Sequence, residues 1–442
     1  MRFTVSSPTP LNGRISVPGD YRLTLTLMAL GMSMEAPLTL VSPGSAKDIE
    51  RFRVFLERHG ASIHDGQDGF TLIGRRFSGD VVLGADVPDA VLHMTAASAI
   101  CTARSVRIAD GAGARSRVVE PLLALLKQTG VGDDCIVSDN GDIIVRGISF
   151  SPPELVRLRS QWAVETVLAE ALAARTTMTV SCPAGILPVS ERVLRALGFE
   201  FDQADVDGNI EAELERRKAR ASGDRPVGIR KINWAGSPAG RFEIPGDTTI
   251  AAAVAGCAAA VQRSDVTIQN VVWDGGRRGF FDTLRRMKAR ISYDCERNGH
   301  IFDTADIRIG WSVLEGVHIT SEQAETMASE LLVLAAVAAS AAGETVISDL
   351  TGPPGIGRDA FKLVARALEK CGVHIGDFTE GIVLRGGAEF IGSEVDSGGR
   401  PDVACALAVA GMAAAGETTV VGCENDVYPV GDFLKVISQL TG

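Results

Sequence analysis

The chain is poor in aromatic residues: they fill 5% of its 442 positions, while 45% of positions are apolar. Its core must therefore be built mainly from Ala, Val, Leu and Ile, and its 48 glycines point to frequent turns. No CxxC pair occurs. Cys101, Cys135, Cys182, Cys257, Cys295, Cys371, Cys405 and Cys423 are scattered, mostly among apolar neighbours. Reduced core thiols in a cytoplasmic protein are the expected reading. The six histidines show no metal-ligand spacing, so no metal is expected. The opening MRFTVSSPTP has no apolar stretch, and so no visible secretory signal. The longest apolar runs, 250–261 and 331–343, fall short of the roughly 20 residues that a membrane span needs. A basic face is also missing. The formal net charge is −11, which argues against a nucleic-acid binder.

What is present is a pattern that recurs six times. An alternating strand and a Gly/Pro/Asp turn lead into an Ala/Leu-rich helix. A small-residue turn, a short β-branched strand and an amphipathic helix follow. The short strand is the clearest marker: PLTLVS (37–42), SVRIAD (105–110), TMTVSC (177–182), DVTIQN (265–270), ETVISD (344–349) and ETTVVG (417–422). The markers lie roughly 70–90 residues apart, room for one supersecondary unit each.

The second helix of each unit is amphipathic. Segment 48–59 places Ile49, Phe52, Phe55 and Leu56 on one face and stops at Gly60. Segments 118–129, 190–197, 279–288, 359–371 and 433–440 repeat that design, several of them stopping at a glycine. The first helices, expected at 23–34, 94–103, 164–174, 250–261, 331–342 and 403–415, are apolar nearly all round. Helices of that kind are buried on every side. Each unit thus has one helix inside, one outside and strands between, and three units closing round their inner helices make a domain. Two lobes follow, 17–241 and 1–16 plus 242–442. The irregular, charged stretch 205–241 is the expected crossing between them.

Several segments carry a family resemblance, in order along about 10–440. ISVPGD (15–20) is similar to an opening strand and PGSKS turn. ARSRVVEPLLALLKQTGV (114–131) matches a stretch beginning ERP, and RSQWAVETVLAEALA (159–173) matches SSQF followed by an apolar helix. EIPGDTTIAAAVAGCAAA (243–260), GRDAFKLVARALEKCGV (357–373) and YPVGDFLKVISQL (428–440) match later ones. The chain resembles the enolpyruvyl transferase family, on its EPSP synthase side rather than its UDP-N-acetylglucosamine side. The resemblance implies a two-lobed inside-out α/β barrel of six βα-type repeats, three per lobe, with the active site in the cleft. It further implies an enzyme acting on an anionic ring such as a shikimate or cyclitol phosphate. The alternatives are a lyase or isomerase on such a ring, or a non-catalytic metabolite-binding relative. No cofactor, membrane or nucleic-acid partner is expected, and a monomer is.

In this family, lysines and arginines hold phosphoenolpyruvate, and a carboxylate pair moves protons. A trianion needs several fixed cations, and enolpyruvyl transfer needs both a base and an acid. Here the matched cationic positions are Tyr21, His93, Ile356, Ala360, Pro401 (with Arg400 one place earlier) and Tyr428, and the matched glutamate is Gly357. The catalytic aspartate matches Ser329, with Glu330 one place later. These replacements put phosphoenolpyruvate use in question.

On the ring side, Ser160, Gln161, Arg117, Asp247 and Asp359 are retained, and Arg22 and Thr24 stand near the phosphate positions. A second ring contact is lost at Pro183 and Ile186. Arg159 and Arg22 either grip an anion or are solvated. Gln161 either meets a ligand or caps its helix. Tyr21 and Tyr428 either donate protons or close an interface, and His93 is catalytic or structural. Glu330 is an acid–base group, or it complements a helix dipole. GPPGIGRD (352–359) lacks the Lys-Ser/Thr of a phosphate loop and reads as a turn.

Overall fold

All six β-branched markers become strands, and each sits second in its own sheet. The computed structural model describes every residue except 7–8, 35, 110–115, 140, 147–155, 159, 184–186, 204–226, 235–239, 274–276, 298, 300, 325, 328, 349–356, 379–380, 388–389 and 442. Side chains at 116–117, 161, 182–183, 187–191, 201–203, 227–234, 295–296, 322 and 377–378 lie outside the description as well.

Among the described residues, five of the six sheets share one four-stranded plan, and the sixth has three strands. In the second sheet, Asp80–Leu83 runs parallel to Ser105–Ile108, which is antiparallel to Asp142–Arg146, with Ile136–Asp139 at the edge. The third and fifth follow suit, around Met178–Pro183 and Gly343–Ser348. Register follows burial: in Ser105–Ile108, Val106 and Ile108 are buried and their neighbours are not.

The first and fourth sheets exchange their leading strands. Asn12–Ser16 precedes the first inner helix but pairs with Asp265–Val272 in the fourth sheet. Gly240–Glu243 precedes the fourth inner helix but pairs with Leu38–Val41 in the first. The sixth sheet takes Arg2–Ser6 as its antiparallel strand, from Arg2 opposite Val421 to Ser6 opposite Glu417. The N-terminus thus completes the last repeat.

The inner helices are Tyr21–Gly31, Asp89–Thr102, Gln161–Ala174, Thr248–Ala260, Glu330–Ala338 and Pro401–Ala413. Several start earlier than apolar periodicity alone suggests, because a polar first turn still belongs to the helix. Ser160 illustrates this: its hydroxyl accepts from the Ala163 N–H at 3.2 Å and caps Gln161–Ala174. The fifth ends early, at Ala338, where the N–H groups of Ala339, Ser340 and Ala341 bond three residues back and tighten the turn.

Small residues let the inner helices approach closely. A Cβ on Gly256 would sit 2.6 Å from Val337 Cγ2 and 3.6 Å from Val333 and Val409. Outside, Lys47–Arg58 buries Ile49, Phe52, Phe55 and Leu56, the face its spacing predicts. Gly357–Lys370 does the same with Ala360, Phe361, Val364, Ala367 and Leu368.

The fold is mixed α/β, and its contacts form two compact units. A C-terminal unit comprises Met1–Tyr21, Gly44–Lys47 and Pro245–Gly442, and an N-terminal unit comprises Arg22–Pro43 and Asp48–Ile244. Most of the expected crossing stretch, 205–241, lies outside the described residues. Its strand Val227–Trp234 pairs within the third sheet. No described helix is long and apolar enough to cross a membrane.

Candidate active site

In the C-terminal unit the site grows from a tripeptide that occurs twice. Pro18-Gly19-Asp20 and Pro245-Gly246-Asp247 each end immediately before an inner helix. The two turns bond each other reciprocally. Asp20 N–H donates to the Pro245 carbonyl, and Asp247 N–H to that of Pro18, both at 2.8 Å. Gly19 and Gly246 form the bridge between them. A Cβ on Gly246 would come within 2.7 Å of Val17 Cγ2, so the pairing requires glycine there.

Asp247 is the hub. It is 2% exposed and caps Thr248–Ala260 by accepting from the Ile250 N–H at 2.9 Å. It also accepts from the Tyr21 N–H at 2.9 Å and from the Tyr428 hydroxyl at 3.0 and 3.2 Å. Burial, and then the nearby Asp20 charge, push its carboxyl well above the usual range, while the three donors pull back. The rings of Tyr21 and Tyr428 stack with centroids 3.9 Å apart and planes 13° apart. Burial and the Asp247 charge hold the Tyr428 phenol well above its ordinary value, so it is neutral and donates.

Glu330 is the first residue of its helix and is 4% exposed. It accepts from the Thr249 hydroxyl at 2.9 Å, and Thr249 also acts on the Tyr428 phenol. Arg277 pairs with Asp20 at 3.0 Å. Elsewhere in this unit Arg400 grips Asp402 through two nitrogens, at 3.0 and 2.5 Å, within electrostatic reach of Asp359. Three sequence candidates, Tyr21, Tyr428 and Asp247, thus form one assembly, and Thr249 connects Glu330 to it. Arg400 and Asp359 make a second group. Ile356 lies outside the described residues.

In the N-terminal unit the candidates gather at the start of its inner helices. Arg22 Nη2 lies 3.0 Å from Glu165 Oε2. His93 is fully buried, with Nε2 3.4 Å from the same carboxylate but not aligned for a hydrogen bond. Its ring packs on Trp162 at 4.9 Å. Burial lowers the His93 pKa, against the upward pull of Glu165. Burial would raise Glu165, but Arg22 and His93 outweigh it and hold the carboxyl at about 2. Thr24 is buried here, and Ser160 serves its helix as a cap. Arg159 lies outside the described residues, as do the side chains of Arg117 and Gln161.

Sequence reasoning missed Asp20, Arg277, Thr249 and Glu165. The duplicated Pro-Gly-Asp was a readable signal for Asp20. A carboxylate inside an apolar helix, where burial demands a partner, was one for Glu165.

A family model of EPSP synthase (3-phosphoshikimate 1-carboxyvinyltransferase) matches residues 228–429. The 3-phosphoshikimate 1-carboxyvinyltransferase of Synechococcus sp. (strain JA-3-3Ab) is 26% identical over 453 residues, spanning 99% of this chain and 96% of that protein. That of Desulforamulus reducens is 30% identical over 298 residues, 67% of this chain and 63% of its own. Among solved structures, EPSP synthase from Acinetobacter baumannii superposes with a TM-score of 0.75 at 18% identity, covering 100% of this chain and 98% of its own. The enolpyruvyl transferase NikO from Streptomyces tendae gives 0.71 at 17%, covering 99% and 97%. The structures establish the fold. The full-length relatives and the family model make this chain similar to EPSP synthase along nearly its whole length.

Proposed function

We propose that this protein is an EPSP synthase-like enzyme acting on an anionic ring such as a shikimate or cyclitol phosphate, with no useful phosphoenolpyruvate transfer. The same reading makes each unit an inside-out α/β barrel. One observation carries the functional part: Tyr21 and Tyr428, at positions where the resemblance implies lysines, are stacked on each other and tied to Asp247. Each charge-assisted hydrogen bond to an anion is worth roughly 1.5–3 kcal/mol. Neutral phenols cannot supply several of them. Carboxylates at Asp20, Asp247 and Glu330 repel a trianion further, and Arg277 is already paired with Asp20. Arg22, Thr24 and Ser160 keep residue types that suit a ring phosphate. Glu330 and Tyr428 are the groups suited to moving a proton.

The test uses purified protein, with thermal shift by shikimate 3-phosphate, shikimate and phosphoenolpyruvate, and with phosphate release from the first and last together. The expected result is a raised melting temperature with the ring phosphate, none with phosphoenolpyruvate, and no phosphate release above background. Turnover in the ordinary range of roughly 1–10³ s⁻¹ would overturn the reading.

A further inference from the structure

The sixth sheet is one strand short of its five counterparts. In those, a further strand borders the antiparallel one: Ser62–Asp65 lies beside Gly69–Ile73, and Ile136–Asp139 beside Asp142–Arg146. In the sixth, Arg2–Ser6 takes the antiparallel place, and among the described residues nothing pairs with its other side. Which groups face that side follows from one bond. Gly422 N–H donates to the Met1 carbonyl, one residue beyond the Arg2–Val421 pair. Antiparallel alternation then turns the backbone groups of Phe3 and Val5 toward Glu417–Val421 and those of Arg2, Thr4 and Ser6 outward. Arg2, Thr4 and Ser6 are exposed, while Phe3 and Val5 are buried. A row of N–H and C=O groups without partners is a template for another strand, and the usual guards, proline, lysine or a bulge, are absent from this one.

The strand fits itself. Turned antiparallel about Thr4, a second copy sets Thr4 against Thr4, Phe3 against Val5 and Arg2 against Ser6, so no like charges meet across the junction. The Arg2–Ser6 and Thr4–Thr4 pairs are those that exchange N–H···O bonds in both directions. The Thr4 hydroxyl already meets that of Thr419 at 3.1 Å, and the second copy continues that row as a ladder of threonines.

Charge selects this pairing. Arg2 and Glu417 are both exposed, and among the described residues neither has an ion-pair or hydrogen-bond partner. Within one copy they sit at opposite ends of the strand pair, since Arg2 faces Val421 and Glu417 faces Ser6. Across the two-fold axis they meet. Arg2 of one copy lies beside Ser6 of the other, and Glu417 is the next residue along that row, two strand spacings or about 10 Å away. Only a small serine separates the two charges. The rotation makes this ion pair twice. We infer that two copies of this chain associate through Arg2–Ser6, joining their sixth sheets into one continuous sheet. The inference is independent of the ring-substrate reading.

The test is sedimentation velocity on the full chain over a rising concentration series, because an edge contact is small and its association weak. The expected result is a mass that rises from 46.5 kDa toward twice that value. Thr4→Pro removes an outward N–H and no backbone bond within the sheet. It should lower the affinity at least about tenfold while the melting temperature of the dilute protein holds. Arg2→Glu and Glu417→Arg should each weaken association roughly tenfold, and the two together should restore it. That exchange keeps the inference testable should Thr4→Pro disturb the fold. A mass of 46.5 kDa at every concentration would overturn it and leave the edge open to an extended segment of another protein. So would a dimer undiminished by Thr4→Pro, or a double exchange that stays as weak as either single one.

Discussion

The two units use the heads of their inner helices in opposite ways. In the C-terminal unit, Asp247 is closed off by two backbone N–H groups and a phenol, and the rings above it stack. In the N-terminal unit, Arg22 is 46% exposed and its single described partner, Glu165, also faces His93. The first arrangement spends its polar groups on the protein. The second keeps a cation at the surface, where a ligand can compete for it. Of the six replaced cation positions, Tyr21 and Tyr428 fall in the closed arrangement and His93 falls in the open one.

The cores differ too, and here the largest effect is expected. Glu170 lies fully buried in the N-terminal unit and accepts from Thr129 Oγ1 at 2.9 Å. Burial raises its pKa from 4.5 to about 8, against the pull of Thr129. Between those values the native state holds a proton that the unfolded chain releases, so stability falls as pH rises through the window and levels above about 8. At about 1.4 kcal/mol per unit, the loss reaches on the order of 3–5 kcal/mol. Urea unfolding from pH 5 to 8.5 should show the decline in wild type and a shallower one in Glu170→Gln, the remainder following the Asp247 carboxyl, which burial pushes up to about 7. A slope unchanged by that substitution would remove the contrast between the cores.

Next comes the hub of the closed site. Asp247→Ala strands two backbone donors and a buried phenol and removes a helix cap, a cost of about 3 kcal/mol. Asp247→Asn should recover part of it. If the alanine variant unfolds within about 0.5 kcal/mol of wild type, the assembly is not the closed unit described.

Smaller again is Gly256→Ala. The helix gains about 1 kcal/mol in propensity, but the added methyl meets Val337 Cγ2 at 2.6 Å between helices packed on every side. Overpacking of that kind costs about 1–3 kcal/mol, so a net loss of about 1 kcal/mol is expected by urea denaturation.

The repeat was legible because both its signals are periodic. Apolar spacing marked the outer faces, and unbroken apolar runs marked the inner helices. The exchange of leading strands was not legible. Asn12–Ser16 and Gly240–Glu243 look alike locally, and only pairing distinguishes their partners. At the site, the residue types at Tyr21, Tyr428 and Asp247 were readable, but their roles were not. Asp247 was readable as a ring-side candidate, but its cap on the Ile250 N–H and its bonds to the Tyr21 N–H and the Tyr428 hydroxyl were not. Arg277 and Asp20 lie 257 positions apart, and no local pattern connects them.

The smallest effect tests the open half of the comparison. Arg22→Ala removes a half-exposed partner, and such pairs are worth under about 1 kcal/mol, less at high salt. Stability near neutral pH should therefore barely change. What changes is electrostatic. The depressed pKa of Glu165 contributes stability that is present above about 4.5 and lost as pH falls toward about 2. Without Arg22 that carboxyl titrates higher, so the loss of stability between about 4.5 and about 2 should be shallower than in wild type. His93 should also titrate higher, because the Arg22 charge now lowers it. Nuclear magnetic resonance of the His93 ring protons reads this directly. A ring phosphate that uses the Arg22 guanidinium should bind about tenfold more weakly to the variant, one charge-assisted hydrogen bond being worth at least that. If acid stability shifts and phosphate affinity does not, Arg22 serves Glu165 alone, and the N-terminal unit is as inwardly committed as its counterpart.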